Sequence, residues 1–505
     1  MARYRLFPYE TRLARREVES LGAEIVEDGG DCLDVFGDVE ALRARATYFE
    51  SLTLSDGDRV ITHQATVEQE HLKLRSTRGL RQATRFGPHG FHEYKGKFNP
   101  QLARALCNVV DSEADTLIDP FAGSGTALVE GLRLGLDAHG IDQSPIACFI
   151  AQAKLSAFAS EDKIRVADDL LALADAIAVA IDRGQRGQHQ ANLSQQVGDT
   201  GAAYLEKWFT RDALAAVGAA LATANEYRDM LPGRLALLAL SSILRSFSLQ
   251  LPEDLRIRRR PEPYEAPPIA PLFISAVDAI RRSLLEMAEW PVPTGDWSMR
   301  RGSSDSERSY QRATGRRIVL TSPPYATALP YIDTDRLSLV ALGLGDSSGL
   351  LTLERGLIGS REWRKSEQTE WDSLRESNAH DLPKAVTALL SRIADLNSTS
   401  AAGFRRKAAA SLLYRYFARM GATMDCWSRM LTPTEAAVVV VGRNRTVAGG
   451  EPIAIPTPEL LGDIAETRGF VVEELIKLET WPRYGLHATN AVGGEDALVI
   501  RRRRD

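Results

Sequence analysis

The chain has 505 residues, of which 44% are hydrophobic and 26% are charged, and its formal net charge is −5. These values are typical of a globular protein with about three domains, and they exclude the disordered and fibrous classes. The longest uncharged apolar run near the middle of the chain, residues 235–244, covers about half of a membrane span. The first twenty residues contain Arg and Glu throughout and lack the apolar core of a secretory signal. We therefore expect no membrane partner.

Four cysteines lie far apart in the chain, with neither a CxxC pair nor a cluster of Cys and His: Cys32, Cys107, Cys148 and Cys426. This spacing predicts no disulfide framework and no metal site, which fits a reducing cytoplasm. The chain contains 52 Arg and ten Lys. Arginine binds phosphate and guanine in a bidentate geometry that lysine cannot adopt, but GC-rich codon usage explains the excess without any function.

Residues 1–80 predict a small α+β N-terminal domain. The segment YRLFPY is typical of a strand, and TRLARREVESLG is typical of a helix that ends at Gly22. Two short strands around Gly29 and Gly30 follow, and DVEALRARATYFESL then predicts a second helix.

Residues 81–157 predict the first half of an α/β core. From Thr116 onward, TLIDPF, AGSG, TALVEGLRLG and AHGID follow one another as strand, glycine-rich turn, helix and strand. This order is typical of the start of a parallel α/β sheet.

Residues 158–301 predict a helical insertion, because Ala- and Leu-rich runs replace any convincing strand pattern. The insertion contains a loop rich in Pro and Arg, RIRRRPEPYEAPPIAP, whose prolines oppose regular structure. Strand patterns return within residues 302–505, in RRIVLTSPP, AAVVVVGRN, FVVEELIKLE and ALVIRRR. The sheet is thus predicted to begin before the insertion and to end after it.

The segment DPFAGSGT, Asp119 to Thr126, follows the first strand of this core. Gly123 and Gly125 permit a sharp turn and a close approach to a ligand. Leu128 stands where a dinucleotide fingerprint requires a third glycine, and no Gly-Lys-Ser/Thr follows as in a phosphate loop. Asp142 lies 17 positions after Gly125 at the end of the next strand, where a carboxylate can hold a ribose diol. A tight turn without any ligand is the alternative interpretation.

The segment TSPPY, Thr321 to Tyr325, follows the strand IVLT. The Ser322 hydroxyl and a neighbouring carbonyl form a rigid pair of acceptors, because the two prolines fix the backbone and have no N–H of their own. A substrate amino group held there by its hydrogens would keep its lone pair exposed. Tyr325 adds a flat face on which a planar base can stack. Alone, the same residues also form ordinary turns.

Together these segments resemble the amino-group DNA methyltransferases, which use S-adenosylmethionine. DPFAGSGT looks like their cofactor loop, and TSPPY is similar to their catalytic (S/D/N)-PP-(Y/F) tetrapeptide. GFHEYKGKFNPQLARAL (90–106) resembles their HxYPAKF segment, with Lys95-Gly96 in place of Pro-Ala, and LIGSREW (357–363) resembles an IGS element. The segment YRYFARMGATMDCWSRMLTPTEAAVVVVGRN is similar to a later helix and strand, with Thr432 to Glu435 in place of Lys-Pro-Gly-Gly. The resemblance covers about residues 85–158 and 302–505.

The resemblance implies a Rossmann-like class I methyltransferase sheet, mostly parallel with the last strand antiparallel, and S-adenosyl-L-methionine as cofactor. In such a site Lys97 and Phe98 would meet the methionine carboxylate region, Asp119 the amino end and Asp142 the ribose. The full set implied in cofactor binding is Lys97, Phe98, Asp119, Phe121, Gly123, Gly125, Thr126 and Asp142. The implied catalytic residues are Ser322, Pro323, Pro324 and Tyr325.

The first residue of the tetrapeptide indicates the product. In the family, SPPY goes mostly with cytosine N4, whereas DPPY and NPPY go mostly with adenine N6. Methylation of cytosine carbon 5 instead needs a cysteine nucleophile, normally in a Pro-Cys pair, and none of the four cysteines follows a proline. We therefore expect N4 methylation of a cytosine flipped out of double-stranded DNA, in the setting of a companion restriction or defence-system protein.

Recognition of DNA is expected from the insertion, where Arg256, Arg258, Arg259 and Arg260 offer phosphate-binding charge. A solvated surface loop is the alternative for this segment. Three other functions compete for the whole chain: a tRNA guanine-N2 methyltransferase, a DNA adenine-N6 methyltransferase, and a catalytically inactive methylase-like DNA-binding protein. Ser322 and the IGS element favour DNA over tRNA, and the intact glycine loop and tetrapeptide argue against an inactive protein.

Overall fold

The computed structural model describes every residue except 1, 3, 31, 72, 76–78, 95, 189–191, 252–257, 261–263, 327–330, 346–348, 400–402, 480–493 and 505. Each helix in these described ranges is too short or too polar to cross a bilayer. Among the same residues, no three His, Cys, Asp or Glu side chains are grouped as metal ligands. All four cysteines are free thiols, and three of them are buried.

The N-terminal region consists of short helices and hairpins. In chain order its elements are α1 (Pro8–Ser20), β1 (Ala23–Asp28), β2 (Leu33–Gly37), α2 (Val39–Arg45), β3 (Ser51–Thr53), β4 (Arg59–Ile61), α3 (His63–Glu68), β5 (Lys73–Arg75) and β6 (Gly79–Arg81). The predicted first helix and the pair of strands after it are confirmed. Residues 4–7 do not form the predicted strand. Pro8 begins helix α1 there, because proline is well suited to the first turn of a helix.

The first half of the core follows the predicted order. Its elements are α4 (Pro100–Asp111), β7 (Thr116–Asp119), α5 (Thr126–Arg133), β8 (Asp137–Asp142) and α6 (Pro145–Ala159). Leu13 of α1 and Leu102 of α4 belong to the same hydrophobic core. The N-terminal region therefore packs directly on the sheet layer.

The insertion is helical, as predicted, but it ends in a strand. Its elements are α7 (Lys163–Gln185), α8 (Leu193–Leu205), α9 (Arg211–Asn225), α10 (Leu231–Ile243), α11 (Ile269–Ala288) and β9 (Trp297–Arg301). The sequence pattern gave no strand in this range. β9 has the sequence WSMRR, which is short and not β-branched, and its polar side chains reflect its position as the edge strand of the sheet.

The second half of the core begins and ends with strands. Its elements are β10 (Arg317–Thr321), α12 (Tyr331–Ala341), α13 (Leu350–Gly356), α14 (Lys365–Glu376), α15 (Lys384–Thr399), α16 (Phe404–Lys407), α17 (Ala409–Met430), β11 (Ala436–Gly442), β12 (Asn444–Ala448), β13 (Glu451–Ile455), α18 (Thr457–Thr467), β14 (Phe470–Leu478) and β15 (Glu495–Arg502). The four strands predicted for this half are β10, β11, β14 and β15.

The central sheet has seven strands in the order β14-β15-β11-β10-β7-β8-β9. Strands β9, β8, β7, β10 and β11 run parallel to one another, and β15 is antiparallel to both β11 and β14. The chain leaves β7 toward β8 and β9 and later returns to β10 on the other side of β7. Ligands of open α/β sheets bind at such a switch point, outside the carboxyl ends of the strands.

Alternate residues of the sheet face two different cores. Leu117, Leu320 and Val440 pack with α4, α5, α6 and the insertion helices. Ile118, Val319 and Val439 pack with α15, α17 and α18. Because both faces are covered, β10 and β11 are continuous apolar runs, as is usual for buried parallel strands.

One buried charge cluster joins α4, α5 and the segment before α4. The carboxylate of Glu130 lies 2.7 Å from His89 Nε2, 2.8 Å from Arg133 Nη1 and 3.6 Å from Arg104 Nη1. Glu130 and His89 are fully buried. Burial lowers the pKa of His89 to about 3, so the ring is neutral and donates to Glu130. Burial alone would raise the pKa of Glu130, but Arg133 and then His89 outweigh it and lower that pKa.

Candidate active site

A cavity of about 830 Å³ opens at the carboxyl edge of the sheet, beside the switch point. Its lining comes from six separate parts of the chain: Tyr94, Gly96, Pro120, Phe121, Gly123, Asp142, Gln143, Ser144, Ser304, Ser322, Pro323, Pro324, Tyr325, Leu357 and Ile358. The glycine loop and the tetrapeptide, 195 or more residues apart in sequence, thus face one space.

The glycine loop owes its shape to two left-handed residues. Gly123 has φ +50° and Gly125 has φ +77°, which side chains rarely adopt. A Cβ on Gly123 would lie 3.3 Å from the Tyr94 ring, and one on Gly125 would lie 3.0 Å from Ala151 Cβ. Gly125 is also the residue at which helix α5 begins. The loop therefore keeps its backbone close to the cavity.

Two carboxylates accept hydrogen bonds from the main chain of the glycine loop and its neighbours. Asp142 accepts hydrogen bonds from Ser144 N at 2.7 Å and Gly123 N at 2.8 Å. Burial raises its pKa, and these two N–H groups act against that rise. Asp119 accepts from Thr321 Oγ1 at 2.6 Å and from Phe121 N at 3.1 Å, and burial raises its pKa to about 7. Asp119 thereby joins the end of β7 to the end of β10.

The tetrapeptide presents two acceptors and a ring to the cavity. Among the described residues, neither the Ser322 hydroxyl nor the Pro323 carbonyl has a hydrogen-bond partner. The Tyr325 hydroxyl donates to Glu495 at the start of β15. The Tyr325 ring packs against Gly442, where a Cβ would lie 3.4 Å from the ring. The acceptors and the aromatic face required by the sequence argument are therefore adjacent.

The segment before α4 contributes less directly than expected. Tyr94 and Gly96 line the cavity, but Lys97 and Phe98 do not. Lys97 Nζ donates to the carbonyls of Thr84 at 2.8 Å and His89 at 3.0 Å, and burial lowers its pKa to about 7. Phe98 packs against the hydrophobic core. Lys95 lies outside the described residues.

The arginine loop lies against the insertion helices. Arg259 donates to the Lys207 carbonyl at 3.0 Å, and Arg260 donates to the Ser248 carbonyl at 3.1 Å. The Arg260 guanidinium also stacks 4.0 Å from the centre of the Tyr264 ring. Arg258 is exposed, and Arg256 lies outside the described residues. Two arginines of the loop are thus held by hydrogen bonds to main-chain carbonyl oxygens.

Several lining residues were missed by the sequence argument. Gln143 and Ser144 follow directly after Asp142, at the carboxyl end of β8. Ser304 follows the edge strand β9 and contacts Thr423 Oγ1 at 3.0 Å. The rule that ligands meet the carboxyl ends of parallel strands would have identified Gln143 and Ser144. Ser304 could not have been identified in this way, because the strand before it, β9, was not predicted.

The residues present fit S-adenosylmethionine. Within the described part of the chain, the buried hydroxyls of Ser124 and Thr126 have no hydrogen-bond partner, although buried polar atoms are usually paired. The Gly123 backbone forms a cradle that a side chain would fill. Asp142 can accept further hydrogen bonds, because each carboxylate oxygen has two lone pairs. Polar cofactor atoms in the cavity would meet Gly123 and Asp142, which line it, whereas Ser124 and Thr126 are not among the lining residues.

Comparison with known proteins finds one family model and two curated proteins that are similar to parts of this chain. Residues 91–203 match the family model described as RMKL-like, methyltransferase domain. The fold is that of a Rossmann-like methyltransferase. This confirms the predicted α/β class with a helical insertion and a small N-terminal α+β unit. The comparison with solved structures found no match.

Two curated proteins are similar over a short stretch. The type II methyltransferase M.MjaII of Methanocaldococcus jannaschii is 42% identical over 83 residues, which are 16% of this chain and 16% of that protein. The type II methyltransferase M.MvaI of Kocuria varians is 39% identical over 85 residues, which are 16% of this chain and 19% of that protein. The matched stretch thus spans less than a fifth of either relative.

Proposed function

We propose that the protein is a DNA methyltransferase that transfers a methyl group from S-adenosylmethionine to the N4 amine of a flipped cytosine. The observation that carries this proposal is the single cavity lined by Gly123 and Asp142 on one side and by all four residues of Ser322–Tyr325 on the other. The similarity to two type II methyltransferases supports DNA as the substrate class.

The chemistry assigned to the chain is the activation of an amine. Ser322 Oγ and the Pro323 carbonyl accept the two amine hydrogens and hold the lone pair out of the base ring. Tyr325 stacks on the extruded base, with its hydroxyl fixed by Glu495. The cofactor, when bound, supplies an electrophilic methyl group on a sulfonium. The protein then acts mainly by positioning the amine in line with that methyl and by excluding water.

On the cofactor side, the proposed contacts are Asp142 with the ribose, Asp119 with the amino end, and the backbone of Phe121 to Thr126 with the cofactor chain. Gly123 and Gly125 permit the close approach. Lys97 and Phe98 remain proposed near the methionine carboxylate, and their present contacts indicate that they act by shaping the segment that carries Tyr94 and Gly96.

We expect Asp142→Ala to weaken S-adenosylmethionine binding by about 10- to 100-fold, since a hydrogen bond to a charged group contributes about 1.5 to 3 kcal/mol. Calorimetry on the purified protein measures this change. The matched control is Asp137→Ala at the opposite end of β8, whose carboxylate accepts from Asp296 N at 2.8 Å. Equal affinities of the Asp142 variant and the wild type would disprove the ribose assignment.

The proposed DNA contacts of the insertion are Arg256, Arg258, Arg259 and Arg260. Replacing both Arg258 and Arg259 by Gln should weaken binding to every DNA sequence and reduce the slope of log K against log salt by about 2, because each phosphate contact contributes about 0.9. Arg282→Gln, on the exposed side of α11, is the control. Filter binding at several salt concentrations gives the slopes. An unchanged slope in the double variant would mean that Arg258 and Arg259 do not contact DNA phosphates and that the loop has only a structural role.

A tRNA guanine-N2 methyltransferase is the second candidate, because the description of the matched family model names no nucleic acid. The two functions are separated by incubating the protein with methyl-labelled S-adenosylmethionine and either unmodified duplex DNA or unmodified tRNA. We expect label in the DNA only. Label in tRNA only would replace the proposal with the second candidate.

A further inference from the structure

The segment Gly356–Trp363 forms one wall of the cavity. Leu357 and Ile358 line the cavity directly. On the cofactor side, Gln143 donates to the Gly356 carbonyl at 3.1 Å and accepts from Ile358 N at 3.3 Å. The start of the wall segment is therefore hydrogen-bonded to Gln143, the residue that follows Asp142.

The same wall segment supports the tetrapeptide. Gly359 has φ +83°, and a Cβ there would lie 3.1 Å from Pro324 Cβ and 3.2 Å from the Tyr325 carbonyl oxygen. A side chain at this position would be strained by the positive φ and would require the wall segment or the tetrapeptide to shift by a few tenths of an ångström. The position of the wall segment thus limits the positions of Pro324 and Tyr325.

Two arginines of α17 hold the wall segment through its carbonyl oxygens. Arg415 Nη2 donates to Ser360 O at 2.6 Å and to Glu362 O at 3.4 Å, and its guanidinium lies 5.2 Å from the centre of the Trp363 ring. Arg419 Nη1 donates to Gly356 O at 2.6 Å, and its Nε donates to Asp305 at 2.7 Å. Each end of the wall segment is therefore fixed to the same helix.

Arg415 is the more unusual of the two. It is only 7% exposed, and no described carboxylate lies within ion-pair distance of it. A buried guanidinium without a carboxylate loses hydration that only carbonyls and a ring face replace, which costs free energy. Its planar fork can reach two carbonyls at once, whereas a lysine ammonium offers no such geometry. If Arg415 only filled space in the core, an apolar side chain would do so without the cost of burying a charge.

We propose that Arg415 is a positioning residue for methyl transfer, acting through the wall segment on Pro324 and Tyr325. This inference rests on the proposed function. Helix α17 contributes no lining residue to the cavity. Through Arg415 it would nevertheless control how the amine acceptors align with the methyl donor. Misplacement of reacting groups by about 1 Å is enough to cost on the order of 100-fold in rate.

The test compares Arg415→Gln and Arg415→Lys with Arg429→Gln, a control at the exposed end of the same helix that pairs with Glu307. For Arg415→Gln we expect kcat to fall by about 10- to 100-fold, with the Kd for S-adenosylmethionine within a few-fold of the wild type. Arg415→Lys should restore part of kcat, and the control should match the wild type. Limited trypsin digestion should newly cut the Arg415→Gln protein after the exposed Arg361 and Arg364 while the rest of the chain resists.

The outcomes separate the inference from the function on which it rests. If the wild type methylates DNA and Arg415→Gln keeps its kcat, the inference is wrong. If Arg415→Gln is cut throughout the chain, Arg415 supports the fold and the positioning role is rejected. If the wild type binds S-adenosylmethionine but methylates no nucleic acid, the proposed function fails, and unchanged trypsin cleavage in the variant would then overturn the anchoring of the wall segment independently.

Discussion

Replacement of Ser322 by alanine is expected to lower kcat by about 100- to 1,000-fold, as loss of one preorganised transition-state hydrogen bond does. The reason is local: Ser322 lines the cavity, and its hydroxyl is one of the two acceptors proposed for a substrate amine. Cofactor affinity should remain unchanged, because the glycine loop and Asp142 lie on the other side of the cavity. Single-turnover methylation of duplex DNA, with calorimetry for the cofactor, measures both quantities.

The matched variant for this prediction is Ser322→Asn, which returns an acceptor oxygen to the same position. We expect it to retain more activity than Ser322→Ala at equal stability. If the alanine variant methylates DNA as fast as the wild type, Ser322 holds no proton of the amine and the catalytic assignment is wrong.

Glu130→Ala is expected to lower the free energy of unfolding by about 3 to 5 kcal/mol, the usual cost of breaking a buried ion pair from one side. The variant leaves Arg133 and Arg104 without their shared carboxylate and His89 without its acceptor. It should also loosen the segment that places Tyr94 and Gly96 at the cavity, because the His89 carbonyl holds Lys97. Urea unfolding, followed by circular dichroism, gives the stability change.

The control for the buried cluster is Glu113→Ala. Glu113 also pairs with an arginine, Arg316 at 3.3 Å, but its side chain is 79% exposed. Exposed ion pairs contribute about 0 to 1 kcal/mol, so this variant should unfold close to the wild type. Equal midpoints for the two variants would mean that the Glu130 cluster contributes no more than a surface pair.

The sequence was sufficient to predict the strands that carry the site. β7, β10 and β11 are largely apolar runs, and β8 is a mixed segment that was recognised from its place after the glycine loop and helix. β9 could not be predicted, because WSMRR owes its strand conformation to pairing with β8 and not to local preference. The strand predicted for YRLFPY was wrong because a local preference prevailed: Pro8 starts helix α1, although the apolar pattern favoured a strand.

The site was predictable where motifs are continuous and unpredictable where contacts are distant. Gly123, Asp142 and Ser322 line the expected cavity. The carbonyl contacts of Lys97 depend on how residues 84–97 fold back, which no spacing reveals. Glu495, which holds Tyr325, and Arg415, which holds the wall segment, are separated from the tetrapeptide by many residues and carry no motif of their own.

Identification of the modified nucleoside tests the central claim most directly. Unmodified duplex DNA is incubated with the protein and S-adenosylmethionine, digested to nucleosides and separated by chromatography with mass detection. The first residue of the tetrapeptide, Ser322, resembles the form that goes mostly with cytosine N4 in the family, so N4-methylcytosine is the expected product. N6-methyladenine would contradict the assignment of cytosine, and DNA without any methylated amine, in a protein that binds the cofactor, would contradict the account as a whole.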